Sequence, residues 1–349
     1  MEQLLFQGSA SFYSETHFNP STIIIMPHAL SNTRAIEAHF LRNALDVLII
    51  GAGPAGLSAA LSLGRVHRSA AIFYSDGDNI PACPDMHADD GRRTTSVQTD
   101  MIAELETKFK TVLFTNTAAK SVRESGMIFE VVDKAGQYWK GRKVILAMGS
   151  QESLPEIPGY QELWGTKIFD CFQYHGVETS HVTCAAALIT SDDEESIDSA
   201  ILSAHLARQY TPDITLLVNG VRHLEQHPHF ITTANRGFKI NSKAIKHFST
   251  AGPHSVTVEF ADGTKATYGF IAHKPRSDVK CSFTRELDLE MTSQGRILVE
   301  GDFPETSIRG VFAAGSCATT IDDEAVEISS GIVVGMGVNL QIAEDDASL

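Results

Sequence analysis

The sequence predicts an α/β protein built from two Rossmann-like, three-layer domains. Three observations carry this reading. A strand pattern at residues 46–50 runs into Gly51-Ala52-Gly53-Pro54-Ala55-Gly56 and then into a segment rich in small residues with helical character. A second strand–helix–strand alternation begins near residue 181, and a late strand pattern ends in glycine at Gly315. Such alternation builds parallel sheets covered by helices on both faces. With 349 residues, 43% hydrophobic and 20% charged, the chain has apolar surface for two cores and too little charge for global disorder.

Residues 1–44 mix Ser, Asn, His and Pro without sustained periodicity and read as an N-terminal extension, with a short helix expected at residues 32–42. The run Asp46-Val47-Leu48-Ile49-Ile50 is a buried-type strand, residues 57–63 a helix, and residues 70–74 a second strand that completes a β-α-β unit. Residues 76–93, rich in Pro, Asp and Gly, form a loop, and residues 100–109 a helix. Strands are expected at residues 111–115, 127–132 and 143–146, with turns at residues 133–136 and at Gly141. Leu154-Pro155-Glu156-Ile157-Pro158-Gly159 reads as a joint between domains. Alternation then restarts: strand at 181–190, helix at 196–210, strand at 214–218, and hairpin strands over 256–271 around Ala261-Asp262-Gly263. A strand at 310–315 and a helix at 322–342 close the chain.

Charge excludes some partners. Twenty-eight basic against 43 acidic residues give a net charge of −15. Neither nucleic acid nor an anionic membrane surface suits that balance, because both need clustered Lys and Arg. The five cysteines (Cys83, Cys171, Cys184, Cys281, Cys317) include no CxxC pair, so neither a zinc ribbon nor a vicinal redox dithiol is predicted, and no metal site. The N-terminal aliphatic run Ile23-Ile24-Ile25-Met26 falls far short of the roughly 20 residues that span a bilayer. No basic, then apolar, leader precedes it, so a cytoplasmic location is expected.

The most informative motif is Gly51-x-Gly53-x-x-Gly56, placed between a strand and a helix. Gly51 permits the tight turn, Gly53 lets a pyrophosphate approach the backbone, and Gly56 allows close helix–strand packing. The partial positive charge of the helix N-terminus then faces the phosphates, with Pro54 and Ala55 in its first turn. An acid about 20 residues on should bind the adenosine ribose. Asp76 follows Gly51 by 25 residues but lies past the strand end, with Tyr74 and Ser75 nearer the expected spot.

Three ordered segments resemble the FAD-binding landmarks of the thioredoxin-reductase-like flavoproteins: residues 47–56, residues 143–149 with Ala147 and Gly149, and residues 306–319 with Gly315 and Ser316. The nearest look is to the fungal branch that includes the dithiol oxidases of gliotoxin-type biosynthesis. The resemblance implies FAD as cofactor and a discontinuous FAD domain, residues 45–157 and 286–349. It also implies an inserted NAD(P)-type domain, residues 158–285, and a homodimer. By family position Glu324, Ala325 and Val326 open the helix whose N-terminus faces the flavin.

Three departures from the family reshape the expected function. The first strand of the inserted domain should end in a second glycine-rich loop. It reads Leu188-Ile189-Thr190-Ser191-Asp192-Asp193-Glu194-Glu195 instead, where carboxylates would repel a pyrophosphate, so no NADPH is expected there. The family's redox CxxC falls on Cys171-Phe172-Gln173-Tyr174-His175-Gly176: Cys171 matches the outer cysteine, and Tyr174 replaces the one against the flavin. Relay to thioredoxin is then lost, and thioredoxin is not an expected partner. His175 stands where the family carries an aspartate and suits a general base as well as a hydrogen-bonded loop histidine. The third departure is Ser316, which replaces the aspartate that accepts hydrogen bonds from the ribityl side.

These departures predict an FAD-dependent oxidase acting directly on a small organic substrate, with oxygen as acceptor. Tyr174, His175 and His87 line the substrate side, Cys171 is a nearby thiol, and the resemblance implies a natural-product biosynthetic role. The alternative is a non-redox enzyme (isomerase, cyclase or dehydratase) or a silent paralogue on the same scaffold.

Overall fold

The computed structural model describes residues 44–74, 94–170, 172, 182–222, 224–252, 255–279, 281–321 and 323–348. The first sheet is built on β1 (Leu45–Ile50), flanked in parallel by β2 (Ala70–Phe73) and β6 (Tyr138–Leu146). β3 (Val112–Phe114) extends it beyond β2. β4 (Ala119–Ser125) and β5 (Ile128–Asp133) meander antiparallel onto the first half of β6, while β17 (Val311–Ala313) pairs in parallel with its last three residues. β6 is therefore the hinge of the sheet: one edge faces β1 along its length, and the other is shared between β5 and β17.

Gly141 corrects the sequence reading. It sits inside β6, paired with Leu45 on one side and Phe129 on the other, rather than in a turn. A Cβ there would come within 2.5 Å of Leu48 Cγ, so the glycine serves close packing across the sheet face. The strand consequently begins at Tyr138, five residues before the expected start. The hairpin turn at residues 133–136 is observed; Asp133 Oδ1 accepts from Gln137 N–H at 2.8 Å, and Gly136 takes φ +84°.

Two long helices cover one face. α1 (Pro54–Arg65) buries a small-residue stripe, and α2 (Thr94–Lys108), which starts six residues earlier than expected, closes over Leu105. The last helix, here α7 (Glu324–Ala347), is long and apolar enough by composition to cross a membrane. Its glycines give it a different use. A Cβ on Gly331 would overlap the carbonyl oxygen of Ala55 and Ser58 Oγ, and one on Gly335 would press on Ser62 Cβ at 2.7 Å. Val334, Val338 and Ile342 are fully buried in the core that α1 shares with β1.

Its C-terminal turn carries Asp345 and Asp346, which the helix dipole disfavours. Cations on neighbouring elements compensate: Lys143 and Arg309 each reach Asp345 at 2.6 Å, and Arg142 reaches Asp346 at 2.6 Å.

The second sheet is parallel, in the order β11 (Lys239–Asn241), β10 (Ile214–Leu217), β9 (Ala185–Leu188), β15 (Ile271–Ala272), β8 (Ile168–Phe169). α4 (Glu194–Ala207) crosses from β9 to β10 and packs Ile197, Ala200, Ile201 and Ala204 on Leu216 and Phe270. α5 (Pro228–Ala234) sits beside α4 and buries Phe230 in the same core. A three-stranded antiparallel sheet, β12 (Ile245–Thr250), β13 (Val256–Phe260) and β14 (Lys265–Tyr268), holds the expected hairpin around Asp262-Gly263. The connections between the two main sheets, β7 (Gln151–Ser153) and β16 (Arg276–Asp278), pair antiparallel. The short helix α3 (Tyr160–Leu163) buries Tyr160 and Leu163 in a core shared with Ala186, Phe248 and Val258, and α6 (Phe283–Glu286) buries Phe283 in the core with Val122 and Val131.

Candidate cofactor site

In an open α/β sheet, ligands bind beyond the carboxyl ends of the strands where the strand order reverses. In the first sheet that point lies between β1 and β6, and glycines line it. Gly51 has φ +115°, a backbone region closed to L side chains, and a Cβ on it would overlap the carbonyl oxygen of Ala147. Gly56 lies so close to Gly51 that a Cβ would overlap that residue's carbonyl oxygen. Gly53 differs: nothing lies within 4 Å of where its Cβ would be. The backbone is bare and approachable at that one residue.

Gly53 is also the N-cap of α1, with Pro54 in the first turn, no side-chain cap and no acid in that turn. The amides at this helix start meet no side-chain acceptor of their own. The arrangement fits a pyrophosphate: a helix N-terminus presents donors and positive potential to an anion.

The ends of β6 and β17 complete this rim. Ala147 N–H donates to Ile50 O at 2.8 Å, which fixes the β1–β6 crevice. Gly149 (φ +72°) and Gly315 (φ +74°) both occupy the left-handed region, and Ser316 Oγ stands 3.7 Å from where a Gly149 Cβ would be. Gly315 N–H donates to Ser330 Oγ at 2.9 Å, so α7 holds this turn; Ser330 had no local sequence signal. Cys317, next in the chain, is buried, and burial pushes its thiol up to about 12. It is an inert core thiol.

Tyr74 lies one residue beyond β2, which ends at Phe73 rather than at the expected residue 74; its hydroxyl is 2.6 Å from Asn116 Oδ1. Glu324, Ala325 and Val326 open α7 as expected, but Asp323 caps it, accepting from Ala325 N–H at 2.9 Å and Val326 N–H at 3.4 Å. Those two amides are thus met by a carboxylate of the chain itself. Ser75, Asp76, His87, Cys171, Tyr174 and His175 lie outside the described residues.

The second sheet reverses between β9 and β15, and there the site is built in the opposite sense. No glycine follows β9. Asp193 caps α4, its Oδ1 accepting from Ser196 N–H at 2.9 Å, and Glu194 and Glu195 fill the first turn. Partial burial pushes the Asp193 carboxyl up, but hydrogen bonds from Ser191 and the Ser196 amide outweigh it and hold it below the usual range. The turn after β10 carries Asn219 (φ +52°), whose Oδ1 is taken by Ile245 N–H at 2.8 Å.

The crevice itself is occupied by a buried polar chain. Tyr160 OH lies 2.6 Å from His273 Nδ1, and His273 Nε2 lies 3.3 Å from Thr190 Oγ1. Burial pushes His273 down to about 4 and pushes the Tyr160 phenol up, so both are neutral near pH 7. A neutral imidazole carries one ring proton, so one nitrogen of His273 donates and the other accepts within this chain.

Comparison with known proteins agrees with this geometry. The profile of the pyridine nucleotide-disulphide oxidoreductases matches residues 45–189. Thioredoxin reductase sirT of Leptosphaeria maculans is 37% identical over 306 residues, covering 85% of this chain and 94% of the relative. Thioredoxin reductase aclD of Aspergillus oryzae is 32% identical, covering 86% of this chain and 97% of the relative. A solved oxidoreductase from Agrobacterium tumefaciens superposes with a TM-score of 0.72 at 24% identity, covering 86% of this chain and 99% of that one. The chain belongs to the thioredoxin-reductase-like family of pyridine nucleotide-disulphide oxidoreductases and is an FAD-dependent oxidoreductase.

Proposed function

We propose that this chain is an FAD-dependent oxidase acting directly on a small organic substrate, with oxygen as acceptor and neither NADPH nor a redox dithiol in the electron path. The observation that carries the reading is the acidic, self-capped start of α4, where a pyridine nucleotide's pyrophosphate would have to bind. Carboxylates at that point repel phosphate at close range. The sequence Cys171-Phe172-Gln173-Tyr174, with a phenol in place of the inner thiol, supports direct transfer from substrate.

In this reading Gly51, Gly53, Pro54, Ala55 and Gly56 hold the pyrophosphate. Tyr74, Ser75 and Asp76 serve the adenosine end, and Ala147, Gly149, Gly315, Ser316, Glu324, Ala325 and Val326 the flavin end. FAD supplies a two-electron acceptor when bound. His175 takes the substrate's proton as general base, with Tyr174 and His87 orienting the substrate and Cys171 at the margin. The net reaction removes two electrons and two protons from the substrate and yields hydrogen peroxide from oxygen. Residues 45–157 with 286–349 form the FAD domain and residues 158–285 the insertion. The family resemblance supports a homodimer and a natural-product tailoring role, while the missing CxxC speaks against a thioredoxin partner.

Anaerobic mixing of the purified flavoprotein tests the reading. Candidate substrates should bleach the flavin, oxygen should restore it with one peroxide per turnover, and NADPH should leave it oxidised. Bleaching by NADPH overturns the proposal, and substrate turnover without oxygen uptake moves the chain to the non-redox alternative.

A further inference from the structure

The junction of α4 and α5 holds a cluster of metal-ligating side chains that the redox reading does not use. Glu194 and Asp198 are four residues apart on α4 and so share one helix face. His227 is the N-cap of α5, followed by Pro228, whose fixed φ stiffens the backbone that carries the ring. One donor atom from each of the three lies within 4.8 Å of the others. Ligand atoms around a bound Zn²⁺, each at about 2.0–2.2 Å from it, need only a modest contraction from that spacing.

A second observation points to a ligand. His227 Nε2 is shielded from solvent and makes no hydrogen bond among the described residues, with the ring 13% exposed; the carboxylate it faces, Asp198 Oδ1, is 3.9 Å away. A buried polar atom without a partner is destabilising, because it has lost its hydration with nothing in return. A cation placed between Nε2 and the two carboxylates meets that need. His229 Nδ1, 2.7 Å from Asp198 Oδ1, holds that carboxylate at the open edge.

We propose that Glu194, Asp198 and His227 form a binding site for a divalent transition-metal ion that ties α4 to α5. An imidazole with two carboxylates suits Zn²⁺, Co²⁺ or Ni²⁺, whereas Mg²⁺ and Ca²⁺ prefer all-oxygen shells. The tautomer must change on binding. His227 Nδ1 accepts from Phe230 N–H at 3.4 Å, which leaves the ring proton on Nε2. With metal on Nε2 the proton resides on Nδ1, so this long cap bond is given up and the ring stays neutral. The sequence offered no warning, since residues 194 and 227 are too far apart for any short ligand spacing.

The test is calorimetric titration of the chelator-treated flavoprotein with Zn²⁺, with Mg²⁺ as control, backed by the visible spectrum of the Co²⁺ form. One Zn²⁺ per chain is expected, with no saturable Mg²⁺ binding. Asp198→Asn should weaken Zn²⁺ by at least about tenfold, judged from the 10–100-fold cost of losing even outer-shell partners. His227→Asn removes the ring but keeps an N-cap acceptor for α5, so the fold persists and affinity falls at least as far. Absence of saturable Zn²⁺ binding, equal Mg²⁺ binding, or Zn²⁺ binding unchanged in both variants overturns the proposal.

Discussion

The molecule contains two strand–turn–helix units of the same design, β1 into α1 and β9 into α4, each at the point where its sheet reverses order. The first is left open: among the described residues nothing lies within 4 Å of the Gly53 Cβ position, and no side chain caps α1. The second is filled by the chain itself, with Asp193 on the helix amides and Tyr160, His273 and Thr190 in the crevice. Identical topology thus offers two sites. The side chains at the helix start and in the crevice decide whether an anion is welcomed or replaced.

The strongest way to break this contrast is at the glycines. Gly51→Ala combines forbidden backbone with overlap on Ala147, and should cost about 3 kcal/mol or more, with FAD lost from the purified protein. Gly53→Ala faces open space at φ −72°. It should leave the melting temperature nearly unchanged while weakening FAD by about tenfold, because the added methyl stands where phosphate approaches. Equal thermal loss in both variants would remove the distinction drawn between them.

The filled site should show itself in pH dependence. His273 has a folded-state value of about 4 against an ordinary 6.5, so the unfolded chain binds more protons between those values. Its contribution is complete above about pH 6.5 and is lost as pH falls toward about 4. Denaturant titrations of wild type and His273→Asn, at about pH 7.5 and about pH 4.5, should differ in their pH-driven loss by about 2.5 kcal/mol, wild type losing more. An equal loss means that the histidine already titrates normally in the fold.

The smallest effect is expected at the second helix start. Asp193→Ala removes a cap worth about 1 kcal/mol, read by thermal melting. NADPH should still fail to reduce the flavin, since Glu194 and Glu195 remain in the first turn. Recovery of NADPH-driven reduction would show that a single carboxylate, rather than the missing glycine loop, kept the site closed.

Much of the first unit was legible in sequence because its constraints are local. A left-handed turn, a bare N-cap and a close helix crossing each demand glycine within six consecutive positions. The hairpin at residues 133–136 was legible for the same reason, and so was the acidic start of α4. Gly141 misled, because a glycine that makes room for Leu48 across a sheet looks in sequence like one that turns. β12 was missed beside its hairpin, since Lys246, His247, Ser249 and Thr250 break its apolar pattern on a half-exposed sheet.

What the sequence alone determined was the family, the cofactor-binding turn, and the loss of the CxxC and of the second glycine loop. Those are properties of contiguous residues, and chain connectivity guarantees their proximity. Only the tertiary structure decided that α7, apolar enough to span a bilayer, spends Gly331 and Gly335 on α1, and that Asp345 at its far end answers Lys143 and Arg309. It likewise decided that residues 160, 190 and 273 meet to close the second crevice. Contacts between residues so far apart in the chain exist only after the sheets have formed, and no local pattern encodes them.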